Sequence, residues 1–184
     1  VNNFYISGAG STHGTGSVNL GGGALVLNNS ANVVGNVTLV RDARISTINN
    51  GTGTISGKIT GNYALEFFTM GAQIGGTITL SNSSNDWSGN TTFGVDTTSG
   101  RTTTLRAGAS EVIPNGTGKG NLTLDGGDSG AGTVVLELNG FNETINGLFS
   151  SGTSITTRVL VRNRTTAQPA ATLTLGDGNA DGNY

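Results

Sequence analysis

The sequence has no cysteine, only two prolines and few charged or aromatic residues. Without cysteine it can form neither a disulfide framework nor a thiolate metal site. Nine Lys and Arg stand against eleven Asp and Glu, so the composition provides no basic surface for nucleic acid or an anionic membrane. No apolar run reaches the length that crosses a membrane. We therefore expect no nucleic-acid partner and no membrane insertion by this segment.

The 184 residues include 32 glycines, and Thr, Asn and Ser fill most of the polar positions. Gly and Asn disfavour helix interiors, whereas Thr favours strands. Hydrophobic residues make up 34% of the chain and the net charge is only −2, which is unlike the composition of disordered chains. The composition predicts a folded protein that is nearly all β.

Short runs of alternating polar and apolar residues recur along the chain, and they are separated by turn pairs such as Asn50-Gly51 and Asn139-Gly140. In residues 132–139 the period of two predicts that Val134, Leu136 and Leu138 face inward. The same period predicts that the intervening Val135 and Glu137 face solvent. Many short strands of this kind are typical of a sandwich, a barrel or a solenoid.

Self-similarity favours the solenoid among these three architectures. A small residue followed by alternating Thr and aliphatic positions is repeated at 51–56, 76–81, 120–125 and 171–176. At roughly 20 or more residues per coil, the chain would supply about eight coils and a rod on the order of 40 Å long. We predict a single β-solenoid segment over residues 1–184, an internal piece of a longer repeat-containing protein. A loop is expected to leave the regular coils around 82–101, with Trp87 as a local cap over the solenoid edge.

Residues 76–92, Gly-Thr-Ile-Thr-Leu-Ser-Asn-Ser-Ser-Asn-Asp-Trp-Ser-Gly-Asn-Thr-Thr, resemble the passenger-associated β-strand repeat of autotransporters. Residues 105–114, Leu-Arg-Ala-Gly-Ala-Ser-Glu-Val-Ile-Pro, are similar to the continuation of that repeat in large surface proteins. A second segment is also similar to that continuation: residues 136–148, Leu-Glu-Leu-Asn-Gly-Phe-Asn-Glu-Thr-Ile-Asn-Gly-Leu. The resemblance covers residues 76–148, although the chain has no membrane-barrel segment. It implies a right-handed parallel β-helix that is exported and displayed outside the cell, and it implies no particular ligand.

The sequence predicts no catalytic residue and no cofactor. His13 is the one histidine and lies in a flexible polar run, where nothing marks a group that would orient its ring for a Ser-His-Asp arrangement. The acids are scattered singly, and the closest pair, Asp125 and Asp128, falls in a glycine-rich turn. Residues 115–120 are similar to a phosphate loop, but no Ser or Thr follows Lys119, so we interpret them as a turn.

Asp177, Asn179 and Asp181 match the first positions of a calcium-binding loop, which places oxygen ligands at alternate residues around a glycine turn. The acidic residue that completes such a loop would fall beyond Tyr184. A turn between strands is therefore the preferred interpretation, and no metal site is predicted. Calcium at this loop is left open as the alternative.

Together these observations predict an extracellular protein at the bacterial cell surface or secreted from the cell. We expect a structural or adhesive role, as a stalk or fibre subunit that mediates attachment or self-association. The expected partners are a second copy, joined end to end, and a surface glycan or a host or matrix ligand. The alternative is a carbohydrate-binding β-helix or a carbohydrate-active lyase or hydrolase, because a fold does not by itself specify a function.

Overall fold

The structure is a computed structural model that describes residues 2–10, 12–13, 20–48, 50–70, 75–95, 102–127, 132–153, 158–164 and 168–184. About 50% of the chain is strand and about 1% is helix, so the predicted all-β class is confirmed. Within the described ranges the one helical element is a 3-10 turn at Asp177–Asn179. None of these residues belongs to a helix long and apolar enough to span a membrane.

The described residues form eighteen strands, numbered in chain order. They are β1 (Phe4–Gly8), β2 (Thr12–His13), β3 (Leu20–Gly21), β4 (Leu25–Leu27), β5 (Ala31–Val33), β6 (Val37–Ile48), β7 (Thr52–Ile55), β8 (Ile59–Thr60), β9 (Leu65–Met70), β10 (Thr77–Leu80), β11 (Thr91–Val95), β12 (Thr102–Ala107), β13 (Leu122–Asp125), β14 (Thr133–Glu137), β15 (Glu143–Ile145), β16 (Leu148–Ser151), β17 (Arg158–Arg162) and β18 (Leu173–Leu175).

Two large parallel sheets organise these strands. Sheet I has the order β1-β6-β9-β11-β13-β16, with β4 and β8 also paired to β6, and sheet II has the order β5-β7-β10-β12-β14-β17. From β9 onward the chain visits the two sheets in alternation, and β15 and β18 form a third, small parallel sheet. Only the β2–β3 pair among the described strands is antiparallel. This topology is compatible with the predicted parallel β-solenoid.

Residues in register stack along each sheet and form the core. In sheet I, Ile45, Phe67, Phe93 and Leu124 are successive partners, and all four are fully buried. A matching row in sheet II runs through Ile78, Leu105 and Leu136. Parallel pairing brings each apolar residue over its equivalent in the next strand, so the inward rows form continuous columns that exclude water.

Strand β14 is buried on both faces, which differs from the sequence expectation. Leu136 and Leu138 are buried as predicted, but Val135 is 0% exposed and Glu137 is 1% exposed. The prediction that Val135 and Glu137 face solvent is therefore wrong. The in-register partners on both sides of β14 explain the burial of Glu137, because the long side chains of Arg106 and Arg162 cover it.

The segment predicted to leave the regular strands stays bonded to its neighbour over its described part, residues 82–95. The backbone N–H groups of Asp86 and Ser88 donate to the carbonyls of Ile59 and Gly61, and strand β11 then pairs with β9. Trp87, between these two bonds, is 1% exposed and belongs to the hydrophobic core. It is therefore a core residue rather than a cap. Residues 96–101 lie outside the described residues.

Asparagine and aspartate side chains join neighbouring segments at the turns. Asn90 Oδ1 accepts from the N–H of Asn121 at 3.0 Å, and Asn121 Oδ1 accepts in turn from the N–H of Gly147 at 3.0 Å. Asn50 and Asn139 adopt the positive φ values expected of turn residues, 59° and 52°. The abundance of Asn therefore has two structural causes, turn geometry and hydrogen bonds to the next segment.

Candidate functional site

A cleft of about 460 Å³ lies on the outer side of sheet I. Small residues from three neighbouring segments line part of it: Gly8, Ala9, Ala43 and Ala64. Their side chains leave space that larger ones would fill. We call this depression the sheet I cleft, and its volume lies in the range of small-ligand sites.

A register shift in β6 shapes one side of the sheet I cleft. Between its pairs with β6, strand β1 advances two residues, from Ile6 to Gly8, while β6 advances from Leu39 to Ala43. The three intervening residues of β6, 40–42, stand opposite one residue of β1 and are all exposed. Irregularities of this kind re-aim side chains, and here the shift places Asp42 at the cleft.

The polar lining comes from Asp42, Arg44, Glu66, Asn90 and Thr92. Arg44 and Glu66 are in-register neighbours, and Arg44 Nε donates to Glu66 Oε2 at 2.7 Å. Their side chains are 20% and 31% exposed, so the pair lies at the surface but is partly shielded.

An aromatic ring supports this ion pair. The Arg44 guanidinium carbon lies 4.5 Å from the centre of the Phe68 ring, a cation–π arrangement. Gly94 is the in-register partner of Phe68, and a Cβ added there would lie 3.5 Å from the Phe68 ring edge. A Cβ at Gly94 would therefore be in ordinary van der Waals contact with the ring that supports Arg44.

Two of the polar lining residues also hold the backbone. Asp42 Oδ1 accepts from the N–H of Ala64 at 2.9 Å, and Asn90 Oδ1 accepts from Asn121. Among the described residues, Asp42 Oδ2, Glu66 Oε1 and Thr92 Oγ1 have no protein hydrogen-bond partner. Hydrogen-bonding groups that the fold does not use are therefore available at the cleft.

Glu137 is a second carboxylate with a defined environment, on the outer row of sheet II. Its Oε1 accepts from Arg106 Nε at 2.5 Å and its Oε2 accepts from Arg162 Nη2 at 2.9 Å. Burial raises the pKa of this carboxyl, but the hydrogen bonds and charges of the two arginines together hold the pKa of Glu137 below its usual value. Glu137 is thus an ionised side chain that links three strands, rather than a proton donor.

We expect Glu137→Ala to lower the free energy of unfolding by about 1–3 kcal/mol, because its three charge-assisted hydrogen bonds, one from Arg106 and two from Arg162, are shielded from water. Glu66→Ala is the matched control, since it breaks a similar Arg–Glu pair that is more exposed; we expect a loss of about 0–1 kcal/mol. Urea denaturation followed by circular dichroism measures both. Equal losses would show that burial adds nothing to the Glu137 pair.

Glu143, the first residue of β15 in the small third sheet, is a buried carboxylate that is 1% exposed. Its two oxygens accept from the backbone N–H groups of Val112 and Ile113 at 3.2 and 2.7 Å. Burial raises the pKa of Glu143 to about 8, the Glu111 charge adds to the rise, and the two backbone hydrogen bonds oppose it. Asn85 binds the same residue Val112 from its other side: its side chain accepts from the N–H of Ile59 and donates to the carbonyl of Val112, at 2.8 Å each. Side chains here replace direct backbone pairing.

Of the residues weighed as sites in the sequence, the structure brings together the turn at 115–120 and the 177–179 turn, since a Cβ added to Gly178 would lie 3.4 Å from Gly116. The side chain of His13 and the whole of Asp128 lie outside the described residues. Asp125 Oδ1 accepts from the N–H of Gly127, which is a turn role, and Lys119 donates its own N–H to Gly116 within a turn. The turn interpretation of residues 115–120 is confirmed.

The loop carrying Asp177 and Asp181 contains the 3-10 turn, in which Ala180 donates its N–H to the Asp177 carbonyl. The side chain of Asn179 lies outside the described residues, so the alternative of calcium binding at this loop stays untested. No cluster of three acidic, histidine or cysteine residues suited to a metal ion occurs in the part of the chain that the structure describes.

Sequence reasoning did not single out the lining of the sheet I cleft. Arg44, Glu66 and Thr92 are far apart in the chain and have no motif between them. A signal was present in residues 40–44, Val-Arg-Asp-Ala-Arg, which concentrate charge in a chain with only 11% charged residues. This local concentration of charge is a signal that could have pointed to a functional surface at residues 40–44.

Comparison of this chain with protein-family models, with curated proteins and with solved structures returned no match in any of the three.

Proposed function

We propose that this chain is part of a right-handed parallel β-helix displayed outside a bacterial cell, as a stalk or fibre subunit that mediates attachment or self-association. The observation that carries the proposal is the recurrence of in-register partners along sheet I. Ala43, Leu65, Thr91, Leu122 and Leu148 form one row across five strands. Because parallel strands connected by crossovers are almost always right-handed, a right-handed helix is the expected form.

The use of polar side chains supports a structural role. Asn85, Asn121 and Asn146 each accept a backbone N–H from a neighbouring segment, and Asn146 also donates to the carbonyls of Gly116 and Lys119. Each satisfied buried amide removes the cost of an unpaired backbone group. Because such bonds join each segment to its neighbour, a rod can be extended by adding segments without a larger core.

The rival interpretation is a carbohydrate-active enzyme. Three described carboxylates have structural partners: Glu137 binds two arginines, Glu143 accepts from two backbone N–H groups and Asp42 caps Ala64. Each of the three holds neighbouring segments together. Asp42 and Glu66, the two carboxylates of the sheet I cleft, each bind a protein group, the N–H of Ala64 and Arg44, and this use of the carboxylates favours the structural role over the acid–base chemistry of glycoside hydrolysis.

Self-association would use the edges of the sheets. Strand β5 is the first strand of sheet II, and among the described strands its one partner is β7. At the other end Asn183 bridges to Phe149 and the Tyr184 hydroxyl donates to the Val159 carbonyl at 3.0 Å, so that edge is partly covered. Different surfaces at the two ends would join copies head to tail, and such contacts propagate as a filament.

Surface labelling tests the proposed function. An antibody raised against the purified chain is expected to label intact source cells, and deletion of this segment from the parent gene is expected to weaken their attachment. Labelling that appears only after permeabilisation would contradict the proposal. Sedimentation of the purified chain over a range of concentrations tests self-association; a monomer at every concentration would remove that part.

A further inference from the structure

We propose that the sheet I cleft binds a neutral glycan, laid across the strands through its hydroxyl groups. This inference names the partner of the adhesive role proposed above and rests on that role. The cleft lining includes Ala9, Arg44, Glu66 and Thr92, from successive segments of sheet I.

The direction of the cleft matches an extended chain of sugar units. Its lining runs from the end of β1 through β6 and β9 to β11, which are consecutive strands of sheet I. Neighbouring strands lie about 4.8 Å apart, so three spacings span about 14 Å. This spacing is close to the repeat of a pyranose unit in an extended glycan, and each unit would therefore meet one strand.

The polar groups of the cleft suit pairs of hydroxyls. The Phe68 ring and the Glu66 carboxylate hold the Arg44 guanidinium in place. Glu66 Oε1, Asp42 Oδ2 and Thr92 Oγ1 have no partner in the described structure, so they can accept hydrogen bonds from a ligand. Held side chains lose little conformational freedom on binding, which favours affinity for a ligand as polar as a sugar.

Charge separates neutral from acidic glycans at this surface. Among the described lining residues, two carboxylates, Asp42 and Glu66, stand against one guanidinium, that of Arg44, which is already paired. A uronate or sulfate placed there would meet net negative charge, and like charges repel. The small apolar side chains of Ala9, Ala43 and Ala64 suit the C–H faces of a sugar ring.

Isothermal titration of the intact chain tests this inference with cellotetraose, mannotetraose, chitotetraose and tetragalacturonate as probes. We expect at least one neutral tetrasaccharide to bind and tetragalacturonate not to bind. Glu66→Gln and Thr92→Ala are each expected to weaken binding by about tenfold, the effect of losing one good hydrogen bond. Thr123→Ala is the matched control, because Thr123 is the in-register partner of Thr92 in the next strand and lies outside the cleft.

A charge-reversal variant gives a readout that a structural effect would not produce. In Asp42→Asn with Glu66→Gln, the amide oxygen at position 42 still accepts from Ala64, while the cleft lining becomes net positive. We expect this variant to bind tetragalacturonate and to lose the neutral probe, with an unchanged melting temperature. Binding of tetragalacturonate by the native chain, or of no neutral probe, would overturn the inference.

The variants also separate the two proposals. If a neutral probe binds equally well to the native chain, Glu66→Gln and Thr92→Ala, the cleft is not the site and the inference fails, while the adhesive role stands. If cells are labelled at the surface and attach through this segment but no neutral probe binds, the inference alone fails.

Discussion

Trp87→Ala is expected to lower the free energy of unfolding by about 3–5 kcal/mol, through lost burial and the cavity left behind. Trp87 is 1% exposed, and its ring meets Phe67 edge to face with centroids 6.2 Å apart. Its Nε1–H also donates to Thr91 Oγ1 at 2.9 Å, and Thr91 is itself buried. The measurement is urea denaturation followed by far-ultraviolet circular dichroism, because Trp87 is the one tryptophan and its fluorescence is lost in the variant.

Two further variants sharpen this test. Trp87→Phe keeps an aromatic ring in the core but loses the bond to Thr91, and we expect a smaller loss, about 1–2 kcal/mol. Tyr63→Ala removes an aromatic residue that is 40% exposed, and we expect a change within about 0.5 kcal/mol. A Trp87→Ala loss as small as that of Tyr63→Ala would place Trp87 at the surface, as the cap expected from the sequence.

Stability is expected to fall as pH rises from about 4.5 to about 8, because of Glu143. Its pKa is about 8 in the folded protein against an ordinary 4.5, so within this window the folded carboxyl keeps a proton that the unfolded chain has lost. The folded state therefore binds more protons than the unfolded state, and raising the pH favours unfolding. The slope from this one group approaches about 1.4 kcal/mol per pH unit.

Glu143→Gln is expected to remove this slope. The amide stays neutral at every pH, although its NH2 group faces the N–H of Val112 and leaves that donor unsatisfied, at a constant cost of about 1–3 kcal/mol. Unfolding free energies at pH 5, 6, 7 and 8 measure the slope in both proteins, with Glu66→Gln as the control at a more exposed carboxyl. Stability of the native chain that rises across this window would show that Glu143 is ionised and held by its two backbone donors.

Glu137 and Asp86 do not obscure that measurement. Burial raises the pKa of each, but Arg106 and Arg162 for Glu137, and Lys58 for Asp86, hold the two pKa values below the ordinary range. A carboxyl with a lowered pKa stabilises the fold above its unfolded pKa and loses that effect only as the pH falls toward its folded pKa. Their contributions therefore change below the window in which Glu143 titrates.

The sequence alone was sufficient to predict the all-β class and the residues of 132–139 that face the interior. The alternation in residues 132–139 correctly placed Leu136 and Leu138 in the interior, and Asn50 and Asn139 were correctly predicted as turn residues. Both features depend on local chemistry, since side chains alternate across a strand and Asn tolerates positive φ. Neither depends on what lies beside the strand.

Only the tertiary structure decided what covers the outer faces and what fills the core between them. Glu137 is buried because Arg106 and Arg162 align with it, and Arg44 and Glu66 meet at the cleft because they are in-register partners. These partners are separated by 31, 25 and 22 residues, so no single period in the sequence aligns them. Because the number of residues between in-register partners varies, their register is determined by the packing of all segments at once. This packing determines which polar residues link strands and which remain available to a ligand.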